Sequence, residues 1–317
     1  MPRTRVSNAM KKIFILLFVA SCALLRGEQQ QQPVMNLSPQ EQLSYATVRI
    51  ECTLADGTTS RGTGFFFRCA DDPTTNQHIP VIVTNKHVIQ GAKKGKFLVH
   101  IADSNGNPVE SQNRTIELDQ FEARWIPHPD PNVDLCILPI APLLNEAHTQ
   151  NIRVFYIALD AALIASDSDL ADLAQFERIL MVGYPIGIWD SVNNMPIFRA
   201  GVTATHPKMN YEGRREFMID AACFPGSSGS PVLLFDNGNY VDKRGNTVIG
   251  RRIKLLGVLY AGPVHTATGE IKAVTIPTKD VTMSFSKIPS NLGFVIKATR
   301  LLDFDEVLKA LTNKSSK

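Results

Sequence analysis

The sequence is poor in several features that would assign it to a specialised class, and each scarcity removes a kind of function. Only five of its 317 residues are cysteine and two are tryptophan. No Cys/His spacing matches a zinc site, so no metal is expected, and no pattern calls for a cofactor. No apolar run approaches the ~20 residues needed to cross a bilayer, which argues against an integral membrane span. Basic excess is scarce too: the formal charge is +3, and Arg3, Arg5, Lys11 and Lys12 all precede residue 23. Without them the chain is close to neutral, so the positive face needed for a nucleic-acid partner is missing. Hydrophobic residues make up 44% and charged residues 20%, with 19 Pro and 20 Gly in no regular period, which excludes disordered and collagen-like chains. The length suits about two domains or one two-lobed domain with an ample core.

What is present begins with a leader. Lys11-Lys12 precede the short apolar run Ile13 to Leu25, which closes on small residues, and the polar tract Glu28 to Gln32 follows. This is the layout of a secretory signal peptide, and it points to an exported protein, periplasmic or secreted. A segment starting at Met10 already has the full layout. Val19-Ala20-Ser21-Cys22 also reads as a lipidation site that would leave Cys22 carrying a lipid anchor, while cleavage after Ala23 by ordinary signal peptidase reads equally well. Four cysteines remain, Cys52, Cys69, Cys136 and Cys223, and they allow three pairings. Cys52 and Cys69 lie on neighbouring strand-like runs and are the least unfavourable pair in an oxidising compartment. Cys136, within Leu135-Cys136-Ile137-Leu138, reads as a small buried hydrophobe.

Beyond residue 40 the pattern is one of short β-type runs: 46 to 53, 62 to 68, 80 to 86, 96 to 102, 133 to 140, 179 to 184, 197 to 204, 215 to 221, 230 to 235, 247 to 261 and 271 to 276. Many short strands separated by Gly, Asp and Asn turns predict barrels or a sandwich. Turn signals at Asp236-Asn237-Gly238 and Gly245-Asn246 predict a long hairpin excursion. Helical signals are sparse, with one stretch near Asp160 to Phe176 and a clearer one over Leu301 to Leu311. The chain divides near 141 to 152, giving a leader and tether (1–33), an N-terminal β unit (34–145), a C-terminal β unit (146–300) and a terminal helix and tail (301–317).

Three strings carry chemistry. Phe224-Pro225-Gly226-Ser227-Ser228-Gly229-Ser230-Pro231 places a hydroxyl among glycines, where the backbone can turn N–H groups toward a developing oxyanion. Val83-Thr84-Asn85-Lys86-His87-Val88 puts a histidine at the end of an apolar strand. His128-Pro129-Asp130-Pro131-Asn132-Val133-Asp134-Leu135 sets Asp134 where a turn enters a buried strand, with Asp130 as a rival carboxylate. Taken singly, these are an ordinary turn, a structural histidine and a turn cap. Together they give the order His, Asp, Ser at strand boundaries, the order of chymotrypsin-type barrels. An α/β-hydrolase would need Gly-x-Ser-x-Gly, and Ser230 breaks that pattern.

On these motifs the chain resembles the trypsin-like serine proteases, and within them the exported bacterial HtrA/Deg branch. Gly62-Thr63-Gly64-Phe65-Phe66, Met181-Val182-Gly183-Tyr184-Pro185-Ile186-Gly187 and Gly257-Val258-Leu259-Tyr260-Ala261-Gly262 look like further family segments, and the resemblance covers about 44 to 300. It implies an all-β fold of two six-stranded antiparallel barrels with a C-terminal helix, and cleavage of protein or peptide substrates without a cofactor. It also implies roles: Ser228 as nucleophile, His87 as base and then acid, Asp134 orienting His87, and the N–H groups of Gly226 and Ser228 as oxyanion hole. Ala222 would form the base of the substrate pocket, with Tyr260, Ala261 and Gly262 along its wall, which implies a small or apolar preference. Ser227 stands where trypsins carry an Asp that pairs with a newly freed N-terminus, so no activation by that route is implied. Ser230 is a variant shared with glutamyl endopeptidases, but the cleft strand lacks the histidine those enzymes carry there. No room remains after residue 300 for a PDZ domain. A catalytically idle or gated fold used for binding is the alternative.

Overall fold

The computed structural model describes residues 37–72, 77–270, 283–289 and 291–315. The leader, with Cys22, and the run expected at 271 to 276 lie outside the described residues. A capping box from Ser38 and Glu41 starts helix α1 (Pro39–Ala46), which leads into the first of two β units.

The N-terminal unit comprises β1 (Thr47–Leu54), β2 (Thr59–Asp72), β3 (Gln77–Thr84), β4 (Ala92–Ala102), β5 (Pro108–Asp119), β6 (Ile126–Pro127), β7 (Cys136–Pro139) and β8 (Val154–Phe155). Its strand order is β5-β4-β1-β2-β3-β7-β6, with β8 on β4. The C-terminal unit is a closed barrel, β10-β11-β16-β13-β12-β9, made of β9 (Arg178–Gly183), β10 (Ile197–Thr203), β11 (Glu216–Asp220), β12 (Pro231–Val241), β13 (Thr247–Ala261) and β16 (Leu292–Lys297). A separate hairpin pairs β14 (Val264–Glu270) with β15 (Met283–Pro289). This is the chymotrypsin-like double β fold. Where two six-stranded barrels are expected, the C-terminal unit closes with six strands, while the N-terminal strands, the two-residue β6 and β8 included, form one eight-stranded sheet.

Period-two alternation explains how the units pack. On β2, Phe66 faces the interior of the N-terminal unit with Ile50, Ile82, Phe97 and Leu138. Its neighbours Phe65 and Phe67 face the other way, into a core shared with Val182, Leu233 and Leu255 of the C-terminal barrel. That barrel fills its own interior with Met181, Phe217, Ile219, Val232 and Leu256. Helix α5 (Asp303–Ser315) presents Phe304 and Leu308, four residues apart on one face and both fully buried, to the shared core. Each such side chain contributes roughly 2 to 3 kcal/mol of transfer free energy.

Between the units, Pro142 near its start is compatible with the helix Ala141–Thr149. The expected helical stretch near Asp160 to Phe176 is broken into a 3-10 turn at Ala161–Leu163 and a short α-helix at Asp167–Asp172. The long hairpin is present, and β12 and β13 pair as far as Val241 with Thr247. The Cys52–Cys69 pair is not formed. Cys52 lies opposite Ser60 in the β1–β2 register, leaving Cys69 nine positions further along β2, roughly 30 Å of strand, whereas bridged Cα atoms lie within about 7 Å. All four described cysteines are free, and Cys136 is a buried apolar residue as its run implies.

Candidate active site

Strand β3 ends at Thr84, and Asn85 begins the single helical turn α2 (Lys86–Ile89) that carries His87. Asn85 is fully buried and donates from Nδ2 to the Asp134 carbonyl at 2.7 Å, which brings the two segments together. Asp134 sits where the turn after Asp130 enters β7. Its carboxylate holds His87 at two points: Oδ1 accepts from the His87 backbone N–H at 3.1 Å, and Oδ2 faces Nδ1 at 2.5 Å. A carboxylate against Nδ1 keeps the proton there, which leaves the Nε2 lone pair available as a base. The rival Asp130 is engaged elsewhere, with Arg300 at 2.8 Å and the Asn132 N–H at 3.0 Å. Lys86 reinforces this loop by donating to the Asp130 and Pro131 carbonyls.

The Ser228 loop is shaped by its backbone. Phe224-Pro225-Gly226-Ser227 is a turn closed by Ser227 N–H to Phe224 O at 3.0 Å, with Pro225 second and Gly226 third at φ +89°. That is the φ sign a type II turn requires at its third residue, and a side chain at Gly226 would also place Cβ 2.6 Å from the Tyr184 carbonyl. Ile186 N–H donates to Pro225 O at 2.6 Å. A trans peptide points its C=O and N–H in opposite directions, so this bond turns the Gly226 N–H away from Ile186. Among the described residues, the backbone N–H groups of Gly226 and Ser228 have no protein acceptor, whereas those of Ser227, Gly229 and Ser230 do. Two free donors flanking one residue are what an oxyanion needs.

The Ser228 hydroxyl donates to Tyr260 O at 3.4 Å, and among the described residues no hydrogen bond joins it to His87. Thr63 connects the two halves: its N–H donates to Ser228 O at 2.8 Å, its Oγ1 to Gly226 O at 2.9 Å, and its carbonyl accepts from Thr84 Oγ1 at 2.7 Å. The strand wall lies alongside, since Gly229 N–H donates to Leu259 O, and a Cβ at Gly262 would lie 3.8 Å from Cys223 Cβ. Tyr260 turns its phenol to Glu216 Oε2 at 2.8 Å; burial and that carboxylate push it up to about 12. Burial pushes the Cys223 thiol up to about 11, so it stays neutral.

Three residues had no assigned role in the sequence reading: Thr63, Ile186 and Arg199. Arg199, on β10, donates from Nη1 to the Ala222 carbonyl and to Ser227 Oγ. A lone arginine in a strand gives no signal of such a contact 23 and 28 residues away. Thr63 and Ile186 lay inside quoted motifs, but only the backbone path reveals what they hold.

Among the described residues no cluster of three or more His, Cys, Asp or Glu could hold a metal ion, and no helix is long and apolar enough to cross a membrane. The sequence model of the trypsin-like peptidase domain matches residues 62–241. Glutamyl endopeptidase of Staphylococcus epidermidis is 32% identical over 157 residues, covering 48% of this chain and 46% of the relative. The chain thus spans about half the length of the curated relatives it matches. Among solved structures, an HtrA-type protease AlgW with a tripeptide aligns at TM-score 0.43 and 17% identity, covering 86% of this chain and 61% of that one. A serine endoprotease from Yersinia pestis aligns at TM-score 0.41 and 16% identity, covering 85% and 64%. The family model covers more than half of the sequence and reaches into both units of the double β fold: the chain belongs to the trypsin-like peptidase domain family.

Proposed function

We propose that this protein is an exported serine endopeptidase that hydrolyses peptide bonds in protein substrates. The observation that carries the reading is the two-point hold of Asp134 on His87, which leaves Nε2 free to take a proton from a hydroxyl nucleophile. Ser228 is that nucleophile: His87 accepts its proton as Oγ attacks the carbonyl, then delivers it to the leaving amine while Asp134 stabilises the imidazolium. The free N–H groups of Gly226 and Ser228 receive the oxyanion. The Ser228 hydroxyl bonds to Tyr260 O, and the proposed proton transfer requires it to turn to His87, a hydrogen bond of the kind that often tightens only when substrate binds. Export rests on the leader sequence before residue 33, with Cys22 as its lipid-anchor variant.

Ala222, Tyr260, Ala261 and Gly262 carry no charge, which supports a small or apolar side chain before the scissile bond. A second reading, an acidic side chain, is favoured by the Arg199 guanidinium bound to the Ala222 carbonyl. The test is incubation of the mature protein with casein and with an alkyl fluorophosphonate, beside Ser228→Ala. Cleavage and labelling that both vanish in the variant support the reading, and fragment termini reveal the preferred side chain. A folded wild-type protein that does neither returns the chain to the idle binding-fold alternative.

A further inference from the structure

Arg199 is a cation in a poor place for one. Its guanidinium sits where burial lowers the arginine's proton affinity, Nε and Nη2 are buried without a partner, and Nη1 bonds only to neutral oxygens. Buried charges normally meet a carboxylate or are replaced by apolar groups. An arginine that packed only for stability would gain from becoming methionine. What the side chain does achieve is specific: one nitrogen grips the first and the last residue of the turn-bearing segment 222–227. Ser227, the far grip point, is 1% exposed and immediately precedes Ser228. Between these ends the segment is held at two further points, Pro225 O by Ile186 and Gly226 O by Thr63. The position that in trypsins would carry an acid seeking a new chain terminus is here a serine hydroxyl already bonded to a cation of the same chain.

We propose that Arg199 is the positioning residue of the oxyanion loop, closing the Ala222–Ser227 segment so that the Gly226 and Ser228 N–H groups face the substrate carbonyl without any processed terminus. This rests on the endopeptidase reading for its catalytic consequence, but the loop restraint itself does not. Because a single nitrogen serves both acceptors, an ammonium can replace the guanidinium here, which is not so where arginine binds through its two-nitrogen fork. Arg199→Lys is therefore the rescue variant and Arg199→Met the loss variant.

The experiment measures the second-order rate of labelling by an alkyl fluorophosphonate, which has no side chain for the specificity pocket, together with amide hydrogen exchange over residues 224–230 and the melting temperature. The expected result for Arg199→Met is labelling slowed at least about 10-fold, a fraction of the effect of losing an oxyanion donor outright. Exchange at the Ser227 and Ser230 N–H groups quickens while exchange in the barrel strands does not. Arg199→Lys returns labelling to within about threefold of wild type, and Ser227→Ala, which keeps the Ala222 grip, shows a smaller slowing in the same direction. If Arg199→Met does not fold, Ser227→Ala decides. Labelling and exchange at wild-type values in the folded loss variant overturn the proposal. So does a loss confined to peptides with an acidic residue before the scissile bond, which would make Arg199 a specificity residue instead. A wild-type protein that is never labelled removes the endopeptidase reading, and exchange over 224–230 then still decides whether Arg199 restrains the loop.

Discussion

The two halves of the site are built by different means. On the N-terminal side, His87 is held by a side chain, Asp134, which is itself positioned by a neighbour in the same motif set, Asn85. On the C-terminal side, Ser228 and its donors are held through main-chain carbonyls gripped by residues from three other segments: Thr63, Ile186 and Arg199. The first half is chemistry that residue types announce. The second is a shape that emerges only when distant strands are brought together.

Changing the His–Asp half should give the largest effect. In Asp134→Asn an amide nitrogen can donate to His87 Nδ1, moving the ring proton to Nε2 and removing the base. The expected loss in kcat is on the order of 10⁴, with folding intact by circular dichroism. On the serine half, Gly226→Ala forces a side chain into φ +89° and against the Tyr184 carbonyl. A loss of about 100-fold in kcat with KM little changed is expected, because the defect lies in the oxyanion donors. A wild-type kcat would mean the Gly226 N–H receives no oxyanion. Thr63→Val keeps the branched shape and deletes only the hydroxyl that donates to Gly226 O and accepts from Tyr184 N–H. About a 10-fold loss in kcat and about 1 to 2 kcal/mol in stability should follow, read by urea titration.

The last effect falls on stability alone and concerns the seam between the halves. His100, on β4, is 6% exposed, packs edge-on to Tyr45 and takes a 3.4 Å contact from Asn194 of the C-terminal half. Burial pulls it down to about 4. Its affinity for a proton is thus higher in the unfolded chain, so stability present above pH 6.5 is lost as pH falls toward 4, by up to about 3 kcal/mol. Urea midpoints measured at pH 7 and pH 5 should show this loss, and His100→Gln should flatten it.

The sequence made the strand pattern and the His, Asp and Ser strings readable because burial alternates with period two and the three motifs are contiguous. Strand β5 escaped because its side chains are almost all exposed or half-buried, from Pro108 to Glu117, so no apolar alternation marks it. Strand β16 is missing from the strand-like runs because glycine at 293 interrupts its apolar pattern. The two-residue strands β6 and β8 are too short to leave any periodic signal. Arg199, Thr63 and Ile186 escaped for a different reason. Apart from the Ser227 hydroxyl that Arg199 reaches, the loop atoms they hold are backbone atoms, which every residue type possesses, so no composition or spacing encodes the contact.

The free state of the four described cysteines has a practical side. Burial pushes Cys52 up to about 12 and raises Cys69 and Cys136 well beyond the usual thiol range, while Cys223 is only half-buried. Protonated, enclosed thiols are poor nucleophiles and resist oxidants. The protein body can therefore be produced in a reducing cytosol without oxidant or isomerase, and iodoacetamide applied to native material should mark Cys223 before the other three, though slowly, because its thiol is also held neutral.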